Sequence, residues 1–398
     1  MDIKNKNIPL IKLAMGSRER ELLLKPLETG WLVQGPFVAQ FEDMVSRFCG
    51  SSYAIATSNC TTALQLILHA LGIGPGDEVI IPSFTYVATA NAVELLGAKA
   101  VFCDIKLDTY NINPSLIADL ITHRTKAILP VSLFGLAAEM AVIKGMTERH
   151  GLYLIEDAAC ALGSYIADKH SSSYSHAAAF SFHPRKVITT GEGGMVTTDI
   201  PELAEKINKL RNHGAEASDY KRHIEHGGSL LPEFNLLGFN YRMTDMQGAL
   251  GVAQMERLSA ILKARREAAL RYQEMLKDLK PVLIPSEPEG FTHAFQSYVV
   301  LYLGRKGQEP TLDNLAQLNL ERNRLMDAMD RAGITVRQGT HAVHTLGYYA
   351  KKYGLDPEAY PNSLIADRLS ITLPLFPGIS PAEQERVVSY LAKPPADV

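Results

Sequence analysis

Short apolar runs alternating with helical patterns predict an α/β protein, a mainly parallel sheet covered by helices plus a smaller α+β domain. Three observations carry this. Between Tyr53 and Ser181, strand-like runs and amphipathic helical stretches follow one another without a break. From about Asp245 to Leu279 one long helical pattern runs on, long enough to leave one domain and reach another. Beyond it, strands and helices mix in no strict order.

Residues 1–50 read as irregular pieces and helices, and Gly30 and Gly35 flank Trp31 before the amphipathic run FVAQFEDMVSRF. YAIAT is a short apolar strand, SNCTT a helix start, and ALQLILHALG a helix closed by its glycine. GPGDEVIIPS is a turn and then a strand, TYVATANAVELLG is helical, and AKAVFCDI is a strand. A helix is expected near 114–122, followed by the strand KAILPVSLFG, the helix MAVIKGMTERHG, and the strands LYLIEDAA and AAAFSFHP. The stretch 213–234, rich in His and Gly, reads as a long loop, a class that often carries function. The last part contributes strands (FQSYVVLYL, ITVRQG) and helices (NLERNRLMDAMDRAG, PAEQERVVSYLA). The expected division is a segment 1–30 packing with the small domain, a large domain 31–255, and a small α+β domain 256–398. Ligands of such sheets bind at the carboxyl ends of the strands.

The bulk numbers exclude several classes. At 46% hydrophobic and 21% charged over 398 residues, the chain can bury a core without disulfide or metal support. A net charge of −3 argues against a nucleic-acid surface. Its four cysteines form no C-x-x-C pair and no zinc pattern; free thiols suit a reducing cytosol. No run of about 18 apolar residues predicts a membrane span, and the first residues show no secretory signal pattern.

Four segments carry chemistry. In SFHPRKVITTGEGGMVTT, Lys186 follows a strand and precedes a glycine-rich turn. An amine there can condense with an aldehyde cofactor, and Gly191, Gly193 and Gly194 would let backbone approach a bulky ligand. The plain alternative is a solvated lysine beside a turn. In LYLIEDAACALGS, Glu156 and Asp157 end a strand, and an ionised aspartate at that edge can pair with a protonated pyridine nitrogen; a helix cap or a metal ligand is the alternative. In ATSNCTTALQ, a strand gives way to a helix whose amides and hydroxyls can hold a phosphate, or simply be capped. In PSFTYVATA, Tyr86 can stack on a planar ring or be core. GIGPGD follows a helix rather than a strand, so it reads as a turn and not a dinucleotide fingerprint.

The order of these segments, together with GWLVQGP, LGFNYRMTDMQGALG and LPLFPGIS, resembles the DegT/DnrJ/EryC1/StrS sugar aminotransferases, a branch of the fold-type I enzymes that use pyridoxal 5'-phosphate (PLP). The likeness spans nearly the whole chain. It implies that Lys186 is the Schiff-base lysine, Asp157 the partner of the pyridine nitrogen, and Tyr86 the aromatic stacked on the ring. Cys60 and Thr61 fall where the family has a Gly-Thr pair at the phosphate, and Ser181 matches a phosphate-binding serine. Asn240 matches an asparagine that reaches the phosphate of the neighbouring subunit, which implies a homodimer with shared sites. Cys160 stands where many members carry a glutamine near the cofactor's phenolic oxygen, and a thiol is a weak donor. In QGTHAVHTLGYY, His344 matches the second histidine of H-Y-x-P-L-H, a stretch lining the sugar site, and Gly339 occupies the first position.

The resemblance further implies amino transfer from glutamate, leaving 2-oxoglutarate, to a nucleotide-linked keto-deoxysugar, with a 4-keto-6-deoxy sugar of the perosamine type favoured. Two alternatives remain at this stage: a sugar dehydratase of the same family, whose members carry histidine at the position of Lys186, and a non-catalytic regulator on the same scaffold.

Overall fold

The computed structural model describes residues 7–216 and 231–392. Seven strands form the main sheet: β1 (Tyr53–Thr57), β2 (Glu78–Pro82), β3 (Lys99–Cys103), β4 (Thr125–Ile128), β5 (Tyr153–Asp157), β6 (Ala177–Ser181) and β7 (Gly194–Thr198). Their order is β1-β7-β6-β5-β4-β2-β3. The pairs from β3 through β6 are parallel, and β7 is antiparallel to both β6 and β1. Parallel neighbours need a covering crossover, whereas an antiparallel pair can be joined by a short loop. The antiparallel step from β6 to β7 is made by a helix-free loop, 182–193, and that loop carries Lys186 just past the carboxyl end of β6.

Both faces of this sheet are covered, which explains why the strands read as continuous apolar runs. Val79, Ile81 and Ile155 enter one core with Leu64, Leu68 and Phe102. Their neighbours Ile80 and Leu154 enter another, with Met140 and Ile143. Under the β1–β7–β6 side, Ala56, Met195 and Phe180 pack against Phe41, Val45 and Met243. A smaller antiparallel sheet of β8 (Val282–Leu283), β9 (Tyr298–Tyr302) and β10 (Ser370–Leu373) packs its residues with those of the helices Leu258–Leu276, Leu315–Arg331 and Pro381–Ala392.

The expectations fail in four places. The long helix is two, Asp245–Glu256 and Leu258–Leu276, broken at Arg257 (φ −110°, ψ 0°). There the Arg257 guanidinium turns to the carbonyl of Ala14 and the carboxylate of Glu19. The helix near 114–122 is a pair of 3-10 turns, Pro114–Leu116 and Ala118–Leu120. Its β-branched Ile117, Ile121 and Thr122 favour helix weakly, and β4 starts at Thr125. ITVRQG makes only isolated bridges, Ile8 to Ile334 and Arg337 to Thr372. Of the N-terminal segment, Ile8 and Leu10 hydrogen-bond to the C-terminal part, through Gly333, Thr335 and Leu375. The helix Ser17–Thr29 instead lies on Asp245–Glu256, with Arg18 paired to Glu256 and Gln254 bonded to Glu19. The loop expected at 213–234 falls largely outside the described residues; at its ends the Glu216 amide meets the Glu233 carbonyl. Among the described residues no helix is long and apolar enough to cross a membrane.

Candidate active site

A cavity of about 660 Å³ opens at the carboxyl ends of β1, β5 and β6. Cys60, Thr61, Tyr86, Asp157, Cys160, Ser181 and Lys186 all line it. Asp157 and Ser181 end their strands, and the other five follow the end of β1, β2, β5 or β6 within a few residues, as the sheet topology requires. Lys186 sits on a turn whose amide donates to the His183 carbonyl at 2.8 Å, and its Nζ lies 3.3 Å from Cys160 Sγ. Burial works against the lysine ammonium, but Cys160, Cys60 and Asp157 outweigh it and hold the pKa above the ordinary lysine value.

Asp157 ends β5 and is 5% exposed. One carboxylate oxygen accepts from Thr89 Oγ1 at 2.7 Å, and the other from the Ala159 amide at 3.2 Å. Burial raises its pKa, against the pull of Thr89, the Ala159 amide and Lys186. Cys60 Sγ stands 4.0 Å from the same carboxylate and is pushed well above a normal thiol by burial and then by Asp157. A buried acid that lines a cavity can take a cationic N–H, which is the group a pyridinium offers.

The helix Cys60–Ala70 begins beside this carboxylate. Asn59 caps it reciprocally with Thr62 (3.0 Å and 3.2 Å), which leaves the first turn's remaining amides without helical partners. Such a terminus favours a phosphate. Gly194 on β7 lets this turn sit where it does, since a Cβ there would fall 2.4 Å from the Asn59 backbone. Gly193 likewise serves close packing of the protein on itself, since a Cβ there would strike Thr190 Oγ1 at 2.2 Å. Gly191, at φ 82°, supplies the left-handed turn. Tyr86 is 59% exposed, with its ring free to cover a planar group.

Two sequence-expected residues lie elsewhere. His344 is corrected: it does not line the cavity and is 1% exposed. Its Nε2 bonds the Pro357 carbonyl at 2.9 Å, and its Nδ1 meets Ser83 Oγ at 2.5 Å. Only an acceptor faces Nε2, so that nitrogen carries the proton and Nδ1 accepts; neither is left for a sugar. Asn240 is exposed and outside the cavity of its own chain. Sequence reading missed Thr89, which holds Asp157, and the far wall of Gln296, Arg337, Gln338 and Thr340. Thr89 lies in the first turn of the helix Ala88–Glu94 and Thr85 ends the short strand before it, so no helical or strand period links the two and nothing in the sequence names the partner.

The residues present fit PLP: an amine, a buried carboxylate, an exposed aromatic and a helix terminus surround one cavity. Residues 14–392 match the sequence pattern of the DegT/DnrJ/EryC1/StrS aminotransferase family. The chain belongs to that family. It is therefore a PLP-dependent sugar aminotransferase. Among its relatives is the GDP-perosamine synthase of Caulobacter vibrioides, 37% identical over 390 residues, covering 97% of this chain and 98% of that one. Another is the spore coat polysaccharide biosynthesis protein SpsC of Bacillus subtilis, 35% identical over 386 residues, 97% and 96% covered. The PMP-form structure of the putative sugar aminotransferase Spr1654 from Streptococcus pneumoniae superposes with a TM-score of 0.88 at 26% identity, covering 97% and 98%. DesV of S. venezuelae, in complex with a ketimine intermediate, gives 0.85 at 28%, with 98% of each chain covered.

Proposed function

We propose that this aminotransferase moves an amino group from glutamate to a nucleotide-linked keto-deoxysugar, a 4-keto-6-deoxy sugar of the perosamine type, and works in the cytosol as a homodimer. One observation carries the reading: Lys186 and Asp157 open onto one cavity that two arginines also line. They are Arg185 and Arg337, and neither side chain makes an ion pair with a described residue. Glutamate, 2-oxoglutarate and a nucleotide diphosphate are all anions that these guanidiniums attract. The 37% identity to a GDP-perosamine synthase supports the choice of sugar.

In this reading the amides of Cys60 and Thr61, the Thr61 hydroxyl and Ser181 bind the phosphate. Tyr86 covers the ring, and Cys160 lies on the Lys186 side of the site. The bound cofactor supplies an electron sink, and Asp157, ionised, keeps a proton on its ring nitrogen. Lys186 moves a proton to and from the carbon that gains or loses the amino group, as base and then as acid. The large share of Tyr86 left exposed, and exposed Asn240, Leu231 (86%) and Leu237 (88%), support a second subunit that covers this face and receives Asn240 at its own phosphate.

The test uses purified protein with PLP. A visible band is expected that bleaches with glutamate and returns on adding nucleotide-linked 4-keto sugars, screened beside 3-keto sugars. Lys186→Ala is expected to bind PLP without turnover. Continued turnover by Lys186→Ala would remove the lysine from its role, and bleaching by glutamate with no sugar restoring the band would reject the acceptor class.

A further inference from the structure

One turn in the C-terminal part is constrained far more than packing requires. Phe295 stands at φ 45° and Phe134, which faces it, at φ 58°. Bulky residues rarely adopt this left-handed backbone, and they keep it only where their surroundings impose it. Here five features impose it. The Ala294 amide donates to the Gly135 carbonyl at 2.8 Å, and the Ser297 amide to the Phe134 carbonyl at 3.1 Å. Gly135 has no room for a side chain, because a Cβ would fall 2.7 Å from the Gln296 amide nitrogen. Arg265, 4% exposed, reaches from the Leu258–Leu276 helix to the carbonyls of Phe295 and Gln296. The His293 ring stacks on Phe295 with 4.0 Å between centroids.

This constraint delivers one side chain. Gln296 is 6% exposed and lines the cavity. Its Nε2 donates to the Arg185 carbonyl at 2.5 Å, and its Oε1 accepts from Ser297 Oγ at 3.1 Å. The Arg185 carbonyl and the Lys186 amide belong to one planar peptide group. That amide already donates to His183, so both polar atoms of the peptide are fixed, the second by a residue 111 positions away. With the plane held, the direction in which the Lys186 side chain leaves the backbone is held too.

We propose that Gln296 is a positioning residue for Lys186, and that the strained turn 293–297 exists to hold its amide against the Arg185 carbonyl. The claim deepens the proposed role of Lys186 and rests on it. It is distinguishable from that role because the unsubstituted protein must first show the visible band; absence of the band there would count against Lys186 and not against Gln296.

The experiment compares Gln296→Leu and Gln296→Glu with the unsubstituted protein. It follows band formation after PLP is added, the pH midpoint at which the band changes, and the rate of bleaching by glutamate, with circular dichroism reporting folding. Gln296→Leu is expected to slow band formation and bleaching about tenfold, the size of one net hydrogen bond, and to move the midpoint. The glutamate concentration for half-maximal bleaching stays within about twofold, because the bond is not to substrate. Gln296→Glu is expected to behave like Gln296→Leu at high pH, where carboxylate faces carbonyl, and to recover at low pH, where the protonated acid donates. Normal rates and midpoint in both variants overturn the proposal, and so does a loss in Gln296→Glu with no recovery at low pH. If Gln296→Leu fails to fold, the Gln296→Glu pH series decides alone.

Discussion

Thr89→Val tests how the chain keeps Asp157 fit for a ring nitrogen. Thr89 Oγ1 lies 2.7 Å from one carboxylate oxygen, and Thr85 Oγ1 lies 3.0 Å from Thr89 Oγ1. A hydroxyl has one proton. Thr89 commits its proton to the carboxylate, so Thr85 donates to Thr89, and the two buried hydroxyls form a relay ending on Asp157. Valine keeps the shape of threonine and removes the donor. A hydrogen bond to a charged group contributes about 1.5–3 kcal/mol, which corresponds to roughly 10- to 150-fold in an equilibrium constant. Without cofactor the carboxylate can relieve this loss by taking up a proton, since burial already raises its pKa. Bound PLP withdraws that escape, because the ring nitrogen requires the ionised acid. The loss therefore falls mainly on cofactor affinity. A titration of the visible band with PLP is expected to show 10- to 100-fold weaker binding, with about the magnitude of that one bond. The loss should grow as pH falls, because a further raised pKa leaves less carboxylate ionised at lower pH. Thr89→Ser should bind as the unsubstituted protein does. Unchanged affinity across the pH range in Thr89→Val, or a loss seen only as a lower melting temperature, would refute the reasoning.

Glu156, fully buried behind Asp157 with one oxygen on Ser132 Oγ, has its pKa lifted from 4.5 to about 7, by burial first. Its favourable contribution is thus whole below pH 4.5 and is lost as pH rises to 7, a change of about 3 kcal/mol. In urea titrations from pH 4 to 8, the difference between the protein and Glu156→Gln should shift toward the variant by up to that amount; a flat difference would contradict it. His344→Ala should cost about 2–4 kcal/mol by stranding Ser83 Oγ and the Pro357 carbonyl and leaving a void, while the KM for either substrate stays put; a raised sugar KM in a stable variant would return His344 to the site. Gly194→Ala drives a Cβ to 2.4 Å from the Asn59 backbone. It should cost about 1–3 kcal/mol or more and weaken PLP more than phosphate-free pyridoxal; equal loss for both would detach Gly194 from the phosphate end.

The large sheet was legible because its strands bury both faces, so each reads as an unbroken apolar run between turn residues. YAIAT, EVIIP, KAVFC, YLIED and AAAFS all form strands where their composition places them. What the sequence concealed is set by distant partners. Helical periodicity passes through Arg257 without a change, and only the Ala14 carbonyl and Glu19, some 240 positions earlier, show why the helix breaks there. Likewise 334–337 has the β-branched composition of a strand, but its neighbours give it one bridge at each end and no ladder.

The site divides in the same way. Residues next to strand ends (Asp157, Cys160, Ser181, Lys186) follow from the fold, since topology brings those ends together whatever the side chains are. Residues whose role depends on a partner do not follow from the fold. His344 could be matched to a family position by its letter, but a histidine binds a ligand only with a nitrogen to spare, and both of its nitrogens are taken by Ser83 and Pro357. Thr89 and Gln296 show the converse. A threonine inside a short helix and a glutamine before a strand carry no signal of their own, yet each meets a residue of the lysine–aspartate pair, or the peptide beside it, from far along the chain. A chain can therefore present the right lysine and aspartate and still be a poor catalyst if these distant supports are altered. Substitutions at Thr89 and Gln296 should separate relatives that share the motif from relatives that share the working geometry.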